Sequence, residues 1–494
     1  MRPKLQLLDT ELIGDIVGEA MDVLLKIGVF IEDEELLELL HGAGAEVDGK
    51  RQRAFIPAEL VEKCLETAPS SIKVCDTSGK TALHLEGDRV HFDPGSAALW
   101  ILDPATRRER KPVTGDLINL AMVVNECTNL AAQSTSIIPV DVPGNLSDRY
   151  RLFIALLFSS KPVVTGTFAV DAFPTMKEML LVISGSEKDL RERPTAIFDA
   201  CPSPPLIWST LTSRTLVECA RSGIPAELVS MPLTGAISPV TLTGALVQHT
   251  AENLSGVVIH QLSGPGSPII YGGSPAAFDM RKGTTPMGAI ETMMIDMSYS
   301  QIGKHLGLPT HAYMGLSDSK TVDTQAGFES GNGIILAALA GINMVSGPGM
   351  LDFESCQSFE KLLIDDQVCG MALRLLEGVV QRGKPMGFDV LKGAIESDRP
   401  GEYFLTSPDT LRWFKEELSF PDPLVDRSDY GGWLEDGALD AAERASARVE
   451  QIIAKKPQPV LDEDKVRSLT DIMNQALKSA GMDSLPEEIK RFLP

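Results

Sequence analysis

Two segments of the sequence concentrate side chains that could do chemistry. The run GLSDSKTVDTQAGFES (315–330) places Asp318 and Lys320 just before a predicted helix, and a later Gly-Pro-Gly turn is followed by Phe353 and Glu354. Carboxyl and amino groups at such spacing are typical of acid–base catalysis, although Ser, Thr and Asp in the first run would equally cap the helix. Glycine in the turn lets a backbone or a ligand approach closely. We therefore expect both segments near a functional site.

Aromatic residues close to the ends of predicted strands form a second group. These residues are Trp208, Tyr271, Tyr313 and Phe353. An apolar, aromatic-walled pocket with few fixed charges suits a cation of diffuse charge, because ring faces attract quaternary ammonium groups. The strand ends are otherwise short of His and of acids, which agrees with such a pocket. The alternative is that the rings only fill the top of the core.

The sequence lacks the usual motifs for metals, nucleotides and activated nucleophiles. None of the seven His belongs to an HxH, HxxxH or HExxH pattern, and no Cys–His cluster has zinc-ligand spacing. GxGxxG, Walker A and GxSxG motifs are also absent. His311 lies within a predicted strand, where it either points inward or packs in the core. We expect no bound metal, no nucleotide cofactor and no catalytic nucleophile from this chain.

Composition and charge limit the class of protein. The 494 residues are 43% hydrophobic and 23% charged, as in a globular protein with a large core. With 68 acidic against 45 basic residues the net charge is −23, which disfavours nucleic acids and anionic membranes as partners. Seven Cys without a CxxC pair predict reduced thiols, the first residues lack the apolar run of a signal peptide, and the uncharged runs are too broken to span a membrane. We expect a cytoplasmic protein.

Helix and strand patterns alternate from about residue 115 and must position these side chains. Short apolar strands are predicted near 136, 165, 198, 228, 270, 312 and 344, with spacings of 29 to 42 residues and a helix pattern in each interval. Repeated strand–helix units predict parallel strands with right-handed crossovers, and this number of units favours a closed (β/α)8 TIM barrel over an open sheet. For the eighth strand, MGFDV near 388 keeps the spacing but is equally compatible with a helix, and the alternative is a strand from around 97.

The remaining chain flanks this barrel. Residues 1–114 are predicted to hold helices and a small antiparallel β element made of SIKVCD, ALHLEG, RVHFDP and AALWILD. Residues 115–400 are assigned to the barrel and residues 401–494 to a charged, helical C-terminal tail. Residues 228–278 contain a single charged residue, Glu252, which we take as a sign that the barrel's site does no acid–base work.

Three runs of the sequence resemble the trimethylamine methyltransferase superfamily. They are IPAELVEKCLETAPSSIKV, PGSAALWILDPATRRERKPVT and SDSKTVDTQAGFESGNGIILAALAGINMVSGPGMLDFESCQSFEKLLIDD, and the resemblance covers nearly the whole chain. It implies a (β/α)8 barrel that moves a methyl group from a methylamine to the cobalt of a small corrinoid protein. Because the sequence contains only the twenty standard residues, it resembles the branch of the family that lacks pyrrolysine. We match the pyrrolysine position to the loop 315–320.

This branch of the family implies a substrate and a partner. Its members of known activity demethylate quaternary amines such as glycine betaine, proline betaine or carnitine, and we expect glycine betaine. The resemblance implies that the nucleophile is the Co(I) corrinoid of a partner protein, so this chain would hold no cofactor tightly. The carboxylate of a betaine needs donors, and His311, Arg281 and Lys320 are candidates. Arg281 is favoured because it follows the loop after the strand near 270. We also expect a homo-oligomer.

Two other classes of function fit the same residues. A barrel lyase or hydrolase would use Asp318, Lys320 and Glu354 as acid and base groups, and would turn over a small substrate without a corrinoid protein. A quaternary-amine binding protein would bind betaine without loss of a methyl group.

Overall fold

A closed ring of eight parallel strands forms the centre of the protein, seen in a computed structural model that describes residues 2–482 and 484–493. The barrel strands, first to eighth, are His91–Asp93, Gln133–Ser134, Val163–Gly166, Ala196–Ala200, Ala226–Leu228, Ile269–Ile270, His311–Ala312 and Met344–Ser346. The second to sixth strands form one sheet, and the seventh, eighth and first form another. Parallel bridges between Phe92 and Leu130 and between Tyr271 and Thr310 join the two sheets into a ring.

One long helix follows each barrel strand, which gives the (β/α)8 alternation that the strand spacing predicts. In chain order these helices are Thr114–Glu126, Ser147–Phe158, Ala172–Ser184, Thr210–Ser222, Leu242–Ser263, Ile290–His305, Thr324–Ala340 and Phe359–Glu377, with a short extra helix Glu187–Glu192. The TIM-barrel prediction is confirmed.

The strand that completes the ring of eight does not lie near residue 388. The segment near 388 is the helix Phe388–Glu396, so the MGFDV prediction is wrong. The ring is closed instead by His91–Asp93, which pairs in parallel with the eighth strand through His91 opposite Met344. The alternative of a strand around 97 was close, since Ala98 makes an isolated parallel bridge to Ile137. With three residues, this strand is too short for alternation of polar and apolar residues to separate it from the hairpin before it.

The small β element of the N-terminal region closes one end of the barrel. Only Ser71–Cys75 and Thr81–Glu86 form the predicted antiparallel hairpin. Its buried residues Ile72, Val74, Leu83 and Leu85 form one apolar cluster with Ala132, Val164, Ile197, Ile270 and Met344 of the barrel strands or their immediate flanks. The AALWILD segment instead contributes a strand, Trp100–Leu102, to a sheet with Glu109–Arg110, Met350–Leu351 and Cys356–Gln357.

The N-terminal helices explain the stretch without charges. Helices Thr10–Lys26 and Ala58–Thr67 pack on Leu242–Ser263, whose residues 245–261 are all buried. A helix covered by the barrel on one side and by other helices on the other has no solvent-facing side on which charged residues could lie. The absence of charge in 228–278 therefore reflects burial of this helix, and says little about chemistry at the site. Helix Glu34–Gly42 and the strands Val29–Ile31, Glu46–Asp48 and Arg53–Phe55 complete this region, with Ile207–Trp208 added to its sheet.

The C-terminal tail wraps around the outside of the barrel. Helix Ala441–Ile453 packs on Thr114–Glu126 and Phe359–Glu377, and Glu463–Ser479 packs on Ser147–Phe158 and Ala172–Ser184. The other helices after the barrel are Phe388–Glu396, Pro400–Thr406, Pro408–Glu417, Tyr430–Glu435 and Glu487–Lys490.

Candidate active site

A cavity of about 320 Å³ lies where the barrel strands end. This volume is at the lower end of the roughly 300–1,000 Å³ that small-molecule sites occupy. The side chains and backbone that line it are Ser96, Ala97, Arg151, Gly166, Thr167, Phe168, Asp199, Cys201, Leu211, Thr212, Thr215, Val229, Met231, Ser274, Tyr313 and Glu354. Catalytic sites of such barrels lie at this end. The hairpin that closes the opposite end leaves this as the open face of the barrel.

Arg151 supplies the cavity's positive charge. It lies on the helix Ser147–Phe158, every residue of which is buried. Its Nη1 donates to the backbone carbonyl of Thr135 at 2.6 Å, its Nε donates to that of Ser147 at 3.2 Å, and the guanidinium lies 4.3 Å from the centroid of the Phe168 ring. Burial lowers the pKa of Arg151 to about 10, so the group remains a cation at neutral pH. The charges of Asp148 and Asp199 act on Arg151 from a distance, but no carboxylate of the described residues forms a salt bridge with it, which leaves the guanidinium available to an anion.

Two acids, Asp199 and Glu354, face the same space. Burial raises the pKa of Asp199 to about 7, against the lowering effects of Glu227, Arg151 and Tyr313. Burial also raises the pKa of Glu354 to about 8, with a further rise from the charge of Asp199. At neutral pH the cavity therefore holds acids close to the point where they lose their protons.

A second layer of polar groups lies in the barrel interior. Glu227 is the register partner of Asp199 on the neighbouring strand, and His311 Nδ1 lies 3.1 Å from Glu227 Oε1. His311 Nε2 lies 3.0 Å from Ser346 Oγ, which donates to Asp93 Oδ1. Burial lowers the pKa of His311 to about 3 and raises those of Glu227 and Asp93 well above their ordinary values. This layer is therefore neutral, with protons on its acids.

A strained loop carries Glu354 into the cavity. Met350–Leu351 and Cys356–Gln357 pair antiparallel, and the loop between them has three successive residues in the left-handed region: Asp352, Phe353 and Glu354, with φ of 48°, 55° and 73°. Such backbone costs of the order of 1–3 kcal/mol per non-glycine residue and is found mainly at functional sites. A hydrogen bond from the Asp352 N–H to the Ser319 carbonyl at 2.8 Å holds the loop.

Of the nine residues singled out from the sequence, two line the cavity. These are Tyr313 and Glu354. His311 lies beneath them, fully buried, with its ring perpendicular to that of Tyr313 at a centroid distance of 4.8 Å. Phe353 turns away from the cavity lining, and its ring lies 3.8 Å from Lys320 Nζ.

Trp208 and Tyr271 lie behind the barrel wall. Trp208 is fully buried in the N-terminal sheet and donates from Nε1 to Ser255 Oγ at 2.9 Å. The Tyr271 hydroxyl donates to Thr250 Oγ1 at 3.1 Å. Both partners belong to the helix Leu242–Ser263, so the structure places these two rings in the helix–strand packing, away from the ring of Tyr313.

Arg281, Lys320 and Asp318 lie outside the cavity lining. The Arg281 side chain is 87% exposed and pairs with Asp279 at 2.8 Å. Lys320 pairs with Asp352 at 3.3 Å, and Asp318 Oδ1 accepts from the Gly288 N–H at 2.9 Å. Burial raises the pKa of Asp318 to about 6. Its hydrogen bond with the backbone indicates that it holds the loop in place.

The expectation of a mouth poor in ionisable groups is wrong, because Arg151 and Asp199 were missed. Asp199 lies inside the strand Ala196–Ala200. A single acid among the apolar residues of AIFDA is the sequence feature that could have identified it as a site residue. Arg151 stands in DRYRLFIALLF, where alternate charges resemble the solvent face of a helix. The loop after the third strand covers that face, since the Phe168 N–H donates to Asp148 Oδ2 and the Phe168 ring lies on the Arg151 guanidinium, and no local pattern reveals this contact.

The described residues contain no group of three or more His, Cys, Asp or Glu side chains arranged to hold a metal ion. Within the same residues, no helix is long and apolar enough to cross a membrane.

Comparison with known proteins gives consistent matches over the length of the chain. The family model described as "Trimethylamine methyltransferase (MTTB)" matches residues 1–481. The trimethylamine methyltransferase MttB of Desulfitobacterium hafniense (strain DSM 10664 / DCB-2) is 30% identical over 462 residues, which cover 94% of this chain and 92% of that protein. The glycine betaine methyltransferase of Desulfitobacterium hafniense (strain Y51) is 30% identical over 481 residues, 97% of this chain and 98% of that protein. Among solved structures, a hydroxylamine complex of MtmB matches with a TM-score of 0.52 at 9% identity, over 90% of this chain and 88% of that one, which supports the fold alone.

Proposed function

The chain belongs to the trimethylamine methyltransferase family, and from this premise we propose that its methyl donor is a quaternary amine, with glycine betaine as the first choice. It is a methyltransferase that acts on methylated amines. The finer proposal is that the methyl group passes to the Co(I) of a cognate corrinoid protein. Proline betaine and carnitine are the next candidates as donors.

The observation that carries this proposal is the charge arrangement of the cavity. One wall presents the Arg151 guanidinium, and the acids Asp199 and Glu354 lie on the same cavity with the Tyr313 ring. A betaine carries a carboxylate and a quaternary ammonium group on one small molecule. The guanidinium matches the carboxylate through charge-assisted hydrogen bonds, and the ring and acids match the ammonium. Trimethylamine has no group for Arg151 to bind.

Methyl transfer from a quaternary amine requires little acid–base catalysis from this chain. Loss of a methyl group from a quaternary ammonium leaves a neutral tertiary amine, so no proton has to reach the leaving group. The Co(I) of the corrinoid supplies the nucleophile. What this chain's residues must do is hold the methyl group in line with the acceptor and keep water out. A cavity at the open end of the barrel, closed below by the hairpin, suits a reaction whose acceptor arrives on another protein.

The remaining parts of the proposal concern the setting of the reaction. We propose that the partner is a small corrinoid protein, that this chain binds no cofactor tightly, and that it works in the cytoplasm. All seven Cys are free thiols, which supports a reducing compartment. We also propose a homo-oligomer, because apolar side chains after residue 385 are exposed on the single chain.

A panel of methylated amines tests the donor. Purified chain and Co(I) corrinoid protein are mixed with glycine betaine, proline betaine, carnitine or trimethylamine, and the absorbance change from Co(I) to methyl-Co(III) is followed. We expect methylation with glycine betaine and none with trimethylamine. Methylation from trimethylamine alone would contradict the proposal.

The structure weakens the rival lyase or hydrolase. Asp318 anchors a backbone N–H and Lys320 covers Phe353, so neither joins Glu354 in the cavity lining. Membership of a methyltransferase family also sets aside a protein that only binds quaternary amines.

A further inference from the structure

A continuous set of acidic and hydrogen-bonding side chains runs from the cavity into the barrel interior, and the proposed methyl transfer needs none of the protons that these acids hold. Its members come from or just beyond strands four, five, seven, eight and one of the barrel, with Glu354 from the mouth loop. They are Asp199, Glu227, His311, Tyr313, Ser346, Asp93 and Glu354.

The upper end of this set lies on the cavity. Asp199 lines it, and Tyr313 donates from its hydroxyl to Asp199 Oδ2 at 3.5 Å. Gly166, the register partner of Asp199 on the third strand, leaves room beside it: a Cβ there would lie 3.5 Å from Asp199 Cβ. Asp199 Oδ1 has no hydrogen-bond partner among the described residues.

The lower end lies in the closed part of the barrel. Ser346 Oγ donates to Asp93, so it accepts from His311 Nε2, and this assigns the ring proton of a neutral His311 to Nε2. Nδ1 is then a bare acceptor 3.1 Å from Glu227 Oε1. Two acceptors at this distance repel unless a proton lies between them, so Glu227 carries it. Glu227 and Asp93 are both fully buried.

This set of side chains contains more acids than the nearby cation could balance if all of them were ionised. Four carboxyl groups share the region with Arg151, the one cation that lines the cavity among the described residues. Glu227 Oε2 and Asp93 Oδ2 are also without hydrogen-bond partners there. Acids this crowded cannot all ionise, so they hold protons that a second cation would displace.

We propose that the cavity binds an organic cation in exchange for a proton, released from the acids Asp199 and Glu354 that face it. The enzyme's carboxyl group and the ammonium ion become a carboxylate–ammonium pair, and the proton leaves to solvent. When the methyl group departs, the cavity holds a neutral amine beside the carboxylate, which then regains a proton from solvent. The identity of the cation as a substrate rests on the proposed function, but the exchange itself does not need the acceptor.

The pH range follows from the acids themselves. With pKa values of about 7 for Asp199 and about 8 for Glu354, cation affinity should rise with pH from 6 and level off only above about pH 9, where both acids are ionised without the cation. The titratable and charged groups that face them from the surrounding elements are Asp93, Arg151, Cys201, Glu227, His311 and Tyr313.

Calorimetry of the full chain without a corrinoid protein tests the exchange. Tetramethylammonium and glycine betaine are titrated at pH 7 in two buffers of different protonation enthalpy, and the difference in binding enthalpy gives the protons released. The uncharged-head analogue 3,3-dimethylbutanoate has the shape and carboxylate of betaine with carbon in place of nitrogen. We expect close to one proton released for each cation and none for the analogue.

Variants locate the source of the proton. Glu354→Gln should lower the release to at most about half a proton at pH 7, since Asp199 is then about half protonated, and adding Asp199→Asn should abolish it. Glu360→Gln removes another buried acid outside the cavity lining and should leave the release unchanged. Cation binding with no proton release, or an affinity that is flat from pH 6 to 8, overturns the proposal. Because no methyl acceptor is present, these results are independent of whether betaine donates its methyl group.

Discussion

Arg151 combines two properties that are rarely found together: it is buried, and no carboxylate of the described residues forms a salt bridge with it. Backbone carbonyls of Thr135 and Ser147 hold its Nη1 and Nε. A buried charge without a partner is costly unless a ligand completes it. We therefore assign to Arg151 the carboxylate of the substrate, in the place where sequence analysis put Arg281.

Substitution of Arg151 should separate two ligands that share a cationic head. Arg151→Met removes the charge, and we expect glycine betaine to bind about 10- to 100-fold more weakly, because a hydrogen bond to a charged group is worth about 1.5–3 kcal/mol. Tetramethylammonium, which has no carboxylate, should bind at least as well as before. Arg151→Lys keeps the charge and should recover part of the betaine affinity. Equal losses for both ligands would show that Arg151 supports the fold and does not bind the carboxylate.

At the scale of elements, the hairpin loop 352–355 carries the strained backbone of the site. Three left-handed residues in a row persist because a short antiparallel pair and the Ser319 carbonyl fix the loop at both sides. Glycine adopts this backbone without strain, whereas glutamate does not.

Two substitutions of Glu354 should therefore separate function from strain. Glu354→Gln keeps the backbone strain and removes the acid, whereas Glu354→Gly removes both. We expect the two variants to lose the same proton release, and Glu354→Gly to be the more stable by about 1 kcal/mol in the free energy of unfolding. Urea unfolding at a single pH measures this. If Glu354→Gly proves less stable than Glu354→Gln, the packing of the side chain outweighs the relief of strain.

The sequence predicts elements well where an element is long and its pattern local. Seven barrel strands and the helices between them follow from repeated apolar runs, whereas the three residues His91–Asp93 are recognisable as a strand only through their partners Met344 and Leu130. The site shows the same limit. Glu354 and Tyr313 lie close after strands, but Arg151 reaches the cavity from a helix, and the Thr135 carbonyl and the Phe168 ring that hold it there belong to other segments of the chain.

At the scale of the whole molecule, the helices after the barrel leave an apolar surface uncovered. Phe388–Glu396 buries only Ala394, and Pro400–Thr406 and Pro408–Glu417 bury no residue. The strongly exposed apolar residues are Met386, Phe388, Leu391, Ile395, Leu405, Leu411, Leu418 and Phe420. A patch of this kind on a single chain is typical of a protein–protein interface, and a second copy of this chain is the partner we propose.

Light scattering of the purified chain tests this surface. We expect a molar mass that is a multiple of 53.3 kDa. Leu405→Asp, at a residue 76% exposed, should lower the mass towards one chain because a charge cannot be buried unpaired in an apolar contact. Leu25→Asp, on the N-terminal helix, is the control and should not change it. A wild-type chain that is monomeric at all concentrations would rule out the oligomer.

The buried acids also set how the stability of the whole molecule depends on pH. Asp199 and Glu354 have folded pKa values of about 7 and about 8, above the value of about 4 in an unfolded chain. The folded state therefore binds more protons, and the stability this contributes is present at low pH and lost as pH rises through the folded values. The buried histidines His249, His260 and His311, with pKa values lowered to about 3, act in the opposite sense only below about pH 6.5, where the unfolded chain protonates them.

Between about pH 6.5 and 7.5 these histidines are largely neutral in both the folded and the unfolded chain, so they no longer offset the effect of the acids. We therefore expect the free energy of unfolding to fall by up to about 1.4 kcal/mol per pH unit for each acid still protonated. Urea unfolding at several pH values in this window measures the slope. The double variant Asp199→Asn with Glu354→Gln should make this fall less steep, and the part that remains belongs to the other buried acids, Glu227, Asp93 and Asp296. Asp279→Asn, which removes a partly exposed acid with a pKa of about 2, should leave it unchanged. Tetramethylammonium should also make the fall less steep in the wild type, since a cation that has displaced the proton leaves fewer protons bound to the folded state. A free energy of unfolding that rises with pH over this range in the wild type would mean that these acids are ionised in the folded chain.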